Sequence, residues 1–343
     1  MMENKCVLPF INNDYQSNSP CCILQKYNDK TNRSELITDH TNNKKSKFCE
    51  ACWKAEDTGV KSKRQQYNML YKQHLNQTHR DVKLNIIPVG NVCGLSCITC
   101  GPGPSTGWFK KYNFINNTPS KHTVEQHIKT ENLKDINNIE HIEFIGGETL
   151  QSQSLWNYLK IMDKNVSFSL QTNGTVKLTQ EQIDLLNTFP IFNICFSIDG
   201  YDKIFEYLRQ PAKWQSTVTN IRHYAELFGR NKLSYYITVS NLNIFYIDTI
   251  VIELFKVLPI PQMLNLVHGP AEFSYNNLTL EIGKIVQKHN PGFFKTKKIE
   301  WKGTSHSLTL FTDNLKKQDE FSGLKFSDQL PDLYQLINDS VNK

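Results

Sequence analysis

From about Val82 to Val267, six short apolar runs alternate with helical patterns, and a chain written that way has few folds open to it. The runs cover residues 83–89, 141–145, 166–172, 192–198, 232–240 and 263–267. Each is short and rich in β-branched or aromatic residues, as buried parallel strands are. Between them, Leu155, Tyr158, Leu159 and Met162 recur at helical spacing, as do Val218, Ile221, Ala225 and Phe228. Thr179 and Gln182 form a capping-box pattern ahead of Ile183, Leu186 and Phe189. The expectation is a parallel α/β sheet, open or curled into a partial barrel, with its active site at the carboxyl ends of the strands. A mainly helical tail follows Gly269. The first stretch, to about Gln77, has weak periodicity and several turn signals.

Cysteine placement points to chemistry. Of nine cysteines, Cys6, Cys21, Cys22, Cys49, Cys52, Cys93, Cys97 and Cys100 fall in the first hundred residues, and only Cys195 sits apart. An odd count argues against a fully paired disulfide framework, and the clustering reads as metal binding. No apolar run reaches the ~18–20 residues of a membrane span, and residues 1–6 carry no secretory pattern, so a cytoplasmic protein is expected. The net charge of +6 comes from scattered basic residues with short runs at 44–47 and 61–64, which read as solvated surface; nucleic acid is not indicated.

Cys93, Cys97 and Cys100 directly follow the first expected strand with C-x3-C-x2-C spacing. Three thiolates on one loop suit three irons of a cubane cluster, leaving the fourth iron open; a zinc site completed by a distant residue is the alternative. The pattern resembles the radical S-adenosylmethionine (SAM) superfamily. That resemblance implies a partial (β/α)6 barrel and a [4Fe-4S] cluster whose open iron chelates SAM. It also implies reductive cleavage of SAM to a 5′-deoxyadenosyl radical that abstracts hydrogen from substrate, the cofactor supplying the hard chemistry. An aromatic or Met commonly precedes the third cysteine in that family; Thr99 stands here.

Other strand ends carry supporting motifs. Gly146-Gly147-Glu148 combines two glycines that permit close backbone approach with a carboxylate suited to an ammonium group, though a tight turn explains it as well. It resembles the family's Gly-Gly-Glu, which holds the SAM amino group. Thr172-Asn173-Gly174 reads as a turn, and by resemblance Asn173 faces the ribose. Ser197-Ile198-Asp199-Gly200 resembles a segment of the SPASM and twitch branches, where Ser197 faces SAM. Arg209 offers a fork suited to a carboxylate such as that of SAM, or is a surface arginine. Ser240, Asn241 and Asn243 are weaker pocket candidates, and His268 reads as structural. No catalytic residue is assigned.

Near the N-terminus, Cys6, Cys21 or Cys22, Cys49 and Cys52 can saturate a metal site, either an iron–sulfur cluster or a structural zinc. The order of these cysteines, with Trp53-Lys54-Ala55-Glu56 and Ser62-Lys63-Arg64, is similar to twitch-domain radical SAM proteins that carry an auxiliary [4Fe-4S] module before the barrel. Gly101, Pro102, Ser105 and Trp108 fit the same branch. A glycine usual between the first two auxiliary cysteines is absent, and Gly94 replaces an asparagine common after the first barrel cysteine. The implied division is 1–80 auxiliary module, 81–270 barrel and 271–343 helical extension. The resemblance also implies an electron donor such as a flavodoxin or ferredoxin, and a radical SAM enzyme of oxidoreductase or peptide-modifying type. The substrate expected from the resemblance is a peptide or protein, ahead of a sugar, nucleotide or other small molecule. The alternatives are a non-catalytic metal-stapled binding module and an ordinary methyltransferase, which would carry a glycine-rich loop where the cysteine loop stands.

Overall fold

The computed structural model describes residues 4–12, 20, 21, 24, 29–57, 59, 61–126, 128, 138–295 and 297–341. Its centre is a six-stranded sheet of β1 (Leu84–Pro88), β2 (His141–Ile145), β3 (Ser167–Thr172), β4 (Phe192–Ser197), β5 (Leu233–Val239) and β6 (Gln262–Leu266). Every neighbouring pair is parallel, and the strands stand in sequence order. Each crossover therefore advances in one direction, and right-handed connections in an unreversed order carry all their helices to one face.

Side-chain alternation follows from that asymmetry. Ile142 and Phe144 of β2, Phe168 and Leu170 of β3, and Ile194 and Phe196 of β4 are buried against Leu155 and Leu159 of the helix Gln153–Ile161, Ile183 and Leu186 of Gln180–Asn187, and Ile221 and Tyr224 of Trp214–Phe228. Stacked and edge-on rings, such as Phe168 against Phe192 at 5.5 Å, fill this layer. Thr179 closes the expected capping box with Gln182. The intervening residues are polar and turn the other way: His141 and Glu143, Ser167, Ser169 and Gln171, Asn193 and Cys195. β2, β3 and β4 are thus apolar on one face only, unlike the doubly buried strands expected, because their second face borders a cavity of about 1840 Å³.

The N-terminal segment covers part of that second face. Leu8, Phe10 and Ile11 form a small core with Tyr67 and Tyr71, against Leu84 and Ile86 of β1. The Tyr67 hydroxyl donates to Glu143 at 2.6 Å, and Asn12 bridges the outer edge of β1 at Leu84. The segment is more helical than its sequence suggests, with helices at Asp29–Thr41, Glu50–Asp57 and Lys63–Leu70. The first is polar nearly all round and buries little beyond Leu36 and His40, so it carries no readable apolar stripe. After β6, the longest helix, Ser305–Ser322, packs Leu308, Phe311 and Leu315 into the main core. No helix among the described residues is long and apolar enough to cross a membrane.

Candidate functional site

The loop carrying Cys93, Cys97 and Cys100 leaves the carboxyl end of β1 and is held from several sides. Ser96 N–H donates to the Gln210 carbonyl at 2.7 Å, and Ile98 N–H to the Leu208 carbonyl at 2.9 Å. The Ser105 hydroxyl donates to Leu95 O at 2.6 Å, and the Trp108 indole N–H to Cys97 O at 2.8 Å. Gly107 N–H donates to Cys93 O at 3.0 Å, while Cys93 N–H donates to the Thr106 hydroxyl at 3.1 Å. Gln318, from the long C-terminal helix, reaches Ile98 O at 3.4 Å. A loop with its carbonyls and amides paired this way presents its thiols in a fixed arrangement before any ligand arrives.

The glycines of Gly146-Gly147-Glu148 have a clear steric reason. A Cβ on Gly147 would stand 2.5 Å from Val92 O, and one on Gly146 would stand 2.7 Å from Gly90 O. Both therefore admit the backbone of the cysteine loop, which Gly147 N–H and Glu148 N–H then bind at Gly90 O (3.0 Å) and Val92 O (2.7 Å). Glu148 is buried. It accepts from the Thr172 hydroxyl and Asn173 N–H, both at 2.7 Å, and from Leu150 N–H at 3.1 Å. Burial raises its pKa, and these three bonds oppose the rise. Asn173 accepts from Thr175 and points its amide towards Cys93 Sγ, 3.9 Å away.

Cys93 and Cys100 act on the charge of Cys97, and Cys93 on that of Cys100. Burial pushes Cys97 up to about 12; Arg209 pulls it back, and Cys100 and Cys93 add to the rise. Cys93 and Cys100 are likewise raised by burial. Arg209 is buried beside them and paired with Asp199 at 2.8 Å, while Asp199 also accepts from Thr238 N–H at 2.7 Å. Burial opposes the Arg209 charge, but Asp199 and the thiols together outweigh it, and its pKa lies above the ordinary value. Its Nε–H is buried without a partner. Lys111, fully buried, donates to Ser96 O at 3.0 Å and Gln210 Oε1 at 3.2 Å, and burial lowers its pKa to about 8.

Cys93, Cys97, Cys100, Glu148, Asn173 and Arg209 thus come together. Ser197 ends β4 on the strand face of Asn193 and Cys195 and is not among the side chains brought together there. Gly146 lines the large cavity, which Thr99, Gly90 and Asn91 also border. Ser240, Asn241 and Asn243 are buried and brace loops: Asn243 donates to Asp199 O and Thr238 O, and Asn241 to Glu272 O. His268 lines the cavity, edge-on to Tyr275. Lys111 and the anchoring role of Asp199 were missed from sequence, since a lysine in a helix and an Asp-Gly pair read as surface and turn.

In the N-terminal segment Cys6, Cys21, Cys49 and Cys52 are all buried, and Cys22 lies outside the described residues. Burial raises the Cys6 thiol well above its ordinary value, with Cys49 and Cys52 adding to the rise. Cys21 shares an apolar cluster with Cys6. Arg64 pairs with Glu56 through Nε (2.9 Å) and NH2 (2.5 Å), donates to Lys5 O at 2.7 Å, and lies over the Trp53 ring. His40, unremarked in the sequence, stands 3.5 Å from Cys49 Sγ through Nε2 and 3.1 Å from Asn4 O through Nδ1.

Among the described residues no three His, Cys, Asp or Glu side chains form a ready cage for a single ion. A cubane places each thiolate on a different iron, so its ligands stand farther apart than those round one metal. The soft, coupled donors of the β1 loop and the unpartnered Arg209 N–H beside them fit an anionic thiolate cluster.

No protein-family model and no curated protein matches the chain. Solved structures that resemble it include anSMEcpe with bound AdoMet and Cp18Cys peptide, at 18% identity and a TM-score of 0.35, over 71% of this chain and 62% of that one. SuiB of Streptococcus suis bound to precursor peptide SuiA is 11% identical with a TM-score of 0.40, over 90% and 69%. TYW1 with a lysine-pyruvate adduct is 15% identical with a TM-score of 0.34, over 62% and 71%. The likeness to anSMEcpe spans less than two thirds of that chain's length.

Proposed function

We propose that this chain is a radical SAM enzyme in which Cys93, Cys97 and Cys100 hold a [4Fe-4S] cluster, and that its sheet is the partial (β/α)6 barrel of that superfamily. The observation that carries the reading is the braced β1 loop, with three coupled thiols beside a buried Arg209 and the buried carboxylate of Glu148. When bound, the cluster and SAM supply the electron and the 5′-deoxyadenosyl group that take a hydrogen atom from substrate.

The chain's own residues do the rest. Arg209, held by Asp199, offsets thiolate charge and keeps one N–H free for the cluster or a SAM carboxylate. Glu148 receives an ammonium group, having been fixed by Thr172 and Asn173. Asn173 and Ser197 stand for contacts to SAM. Packing of residues 102–108 and of Gln318 behind the loop keeps water from that side. Cys6, Cys21, Cys49 and Cys52 are read as ligands of an auxiliary [4Fe-4S] cluster in a twitch-like module. The substrate is read as a peptide, and the electron donor as a flavodoxin or ferredoxin. A structural zinc in the module is the second reading. His40 favours it: Nδ1 on a backbone carbonyl leaves Nε2 as an acceptor beside Cys49, as in ligating histidines.

Anaerobic reconstitution with iron and sulfide, then dithionite and SAM, tests this. About eight irons per chain, with deoxyadenosine formed by the parent and lost in Cys97→Ala, is the expected result. About four irons with one zinc and intact cleavage would assign the module to zinc. Zinc without iron or deoxyadenosine would end the proposal.

A further inference from the structure

The two edges of the sheet are treated differently. At β1 the N-terminal segment closes the edge: Asn12 bridges Leu84, and Asp81 and Lys83 N–H donate to Phe10 O and Ile11 O at 3.0 and 2.8 Å. At β6 nothing comparable stands among the described residues. Tyr235 N–H binds Pro261 O at 2.8 Å and Val267 N–H binds Val239 O at 2.9 Å. Backbone groups alternate sides along a strand, so Pro261, Met263, Asn265 and Val267 face β5, while Gln262, Leu264 and Leu266 turn their N–H and C=O groups outward.

Of these, Leu264 and Leu266 border the large cavity. In β2, β3 and β4 only every second residue lines it, but Met263, Leu264, Asn265, Leu266, Val267 and His268 all do. Leu264 and Leu266 stand in register with the buried Ile237 and Val239, so alternation turns their side chains to the core face and they reach the cavity through the strand's edge. Unprotected edges are ordinarily blunted by lysine, proline or a bulge. Gln262-Met263-Leu264-Asn265-Leu266 carries neither residue and pairs in unbroken register with β5.

We propose that the free edge of β6 takes an extended peptide as a seventh strand, laid in the cavity that Thr99 of the cysteine loop and Cys52 of the N-terminal segment both border. This names the substrate class of the enzyme proposed above and rests on that reading. A row of alternating donors and acceptors is the complement of a peptide main chain, whereas a sugar or nucleotide matches it at one or two points. The cavity, at about 1840 Å³, also exceeds the ~300–1,000 Å³ usual for small ligands. Alternate side chains of the added strand would lie beside Met263 and Asn265, where selectivity would arise.

The test uses the full chain and a synthetic pool of ten-residue peptides, with panels of mononucleotides and oligosaccharides alongside. Captured peptides are then added while amide exchange is followed residue by residue. Slowed exchange at Leu264 and Leu266, with Met263, Asn265 and Val267 unchanged, is the expected pattern, since only an added strand protects alternate amides. Leu264→Pro deletes an outward donor that β5 does not use, and should weaken capture about tenfold. Capture of sugars or nucleotides alone, no capture, peptide binding without alternate protection, or amides already protected in the free chain would each overturn the proposal. Deoxyadenosine formation by the unmodified chain without peptide is scored separately, so loss of this inference and loss of the enzyme reading are distinguishable.

Discussion

Two buried arginines, each beside a set of cysteines, are used in opposite ways. Arg64 is fully engaged: it pairs twice with Glu56, donates to Lys5 O and lies over Trp53. Arg209 is held by Asp199 through one nitrogen, and its Nε–H has no partner. The first is a clasp that joins the helix Glu50–Asp57 to the helix Lys63–Leu70. The second carries its charge to the β1 loop and has a donor to offer. The surroundings differ likewise. The loop is backed by a core that runs the length of the sheet, whereas Leu36, Phe48, Cys49 and Trp53 make only a small cluster in the N-terminal segment. Small cores need a staple, so in the proposed reading a metal held by Cys6, Cys21, Cys49 and Cys52 would matter to folding there, and a cluster on the β1 loop to chemistry.

The sharpest way to break that comparison is to remove each arginine's charge. Arg64→Met leaves Glu56 without its main partner in a small core, and about 3–5 kcal/mol of stability should be lost. The loss should appear as early unfolding of residues 29–77 by limited proteolysis, with the sheet still protected. Arg209→Met also strands a carboxylate, but Asp199 keeps its bond from Thr238 N–H. In the proposed reading its main effect should fall on iron content and SAM cleavage. If Arg64→Met spared the N-terminal helices while Arg209→Met unfolded them, the assignment of clasp and donor would be reversed.

A smaller change asks whether the loop is as fixed as its bonds suggest. Gly147→Ala puts a methyl 2.5 Å from Val92 O and 2.7 Å from Asn91, both backbone contacts. The loop or the end of β2 must move, at a cost of about 1–3 kcal/mol. Thermal melting should register that loss, and reconstituted iron should fall with it. Full iron with only a lowered melting point would mean that the loop tolerates displacement and that its bracing serves stability alone.

What the sequence disclosed depended on whether one face of an element was apolar. All six strands were legible, to within a residue or two at each end, because Phe144, Phe168, Ile194 and their neighbours mark a continuous core. The capping box at Thr179 was legible because two side chains three apart do the capping. The helix Asp29–Thr41 was not, having a polar circumference. The cavity was hidden because His141, Glu143, Ser167 and Ser169 look like breaks in an apolar run until strand order shows them sharing a face. The loop cysteines stood out by their spacing and their place after the first strand, and the structure brings them together, whereas Lys111 could not be singled out. A lysine in a helix reads as solvent-facing, and only tertiary packing places its ammonium on Ser96 O.

The finest test concerns one hydrogen bond on the loop. Trp108 is buried, and its indole N–H is the donor to Cys97 O. Trp108→Phe keeps most of the ring's packing, including a surface for the Lys111 ammonium that lies 4.7 Å from the ring, and deletes that donor. The net cost of such a bond is about 1 kcal/mol. The carbonyl of Cys97 would fall back on its bond from Cys100 N–H at 3.0 Å, and the middle thiol would gain freedom. A fall in melting temperature of a few degrees with broadened cluster spectra would show that Trp108 orients Cys97. The same fall with unchanged spectra would show that the other bonds, from loop N–H groups to Gln210 O and Leu208 O and from the Ser105 hydroxyl, suffice to hold the loop, and that redundancy separates it from the N-terminal cysteines.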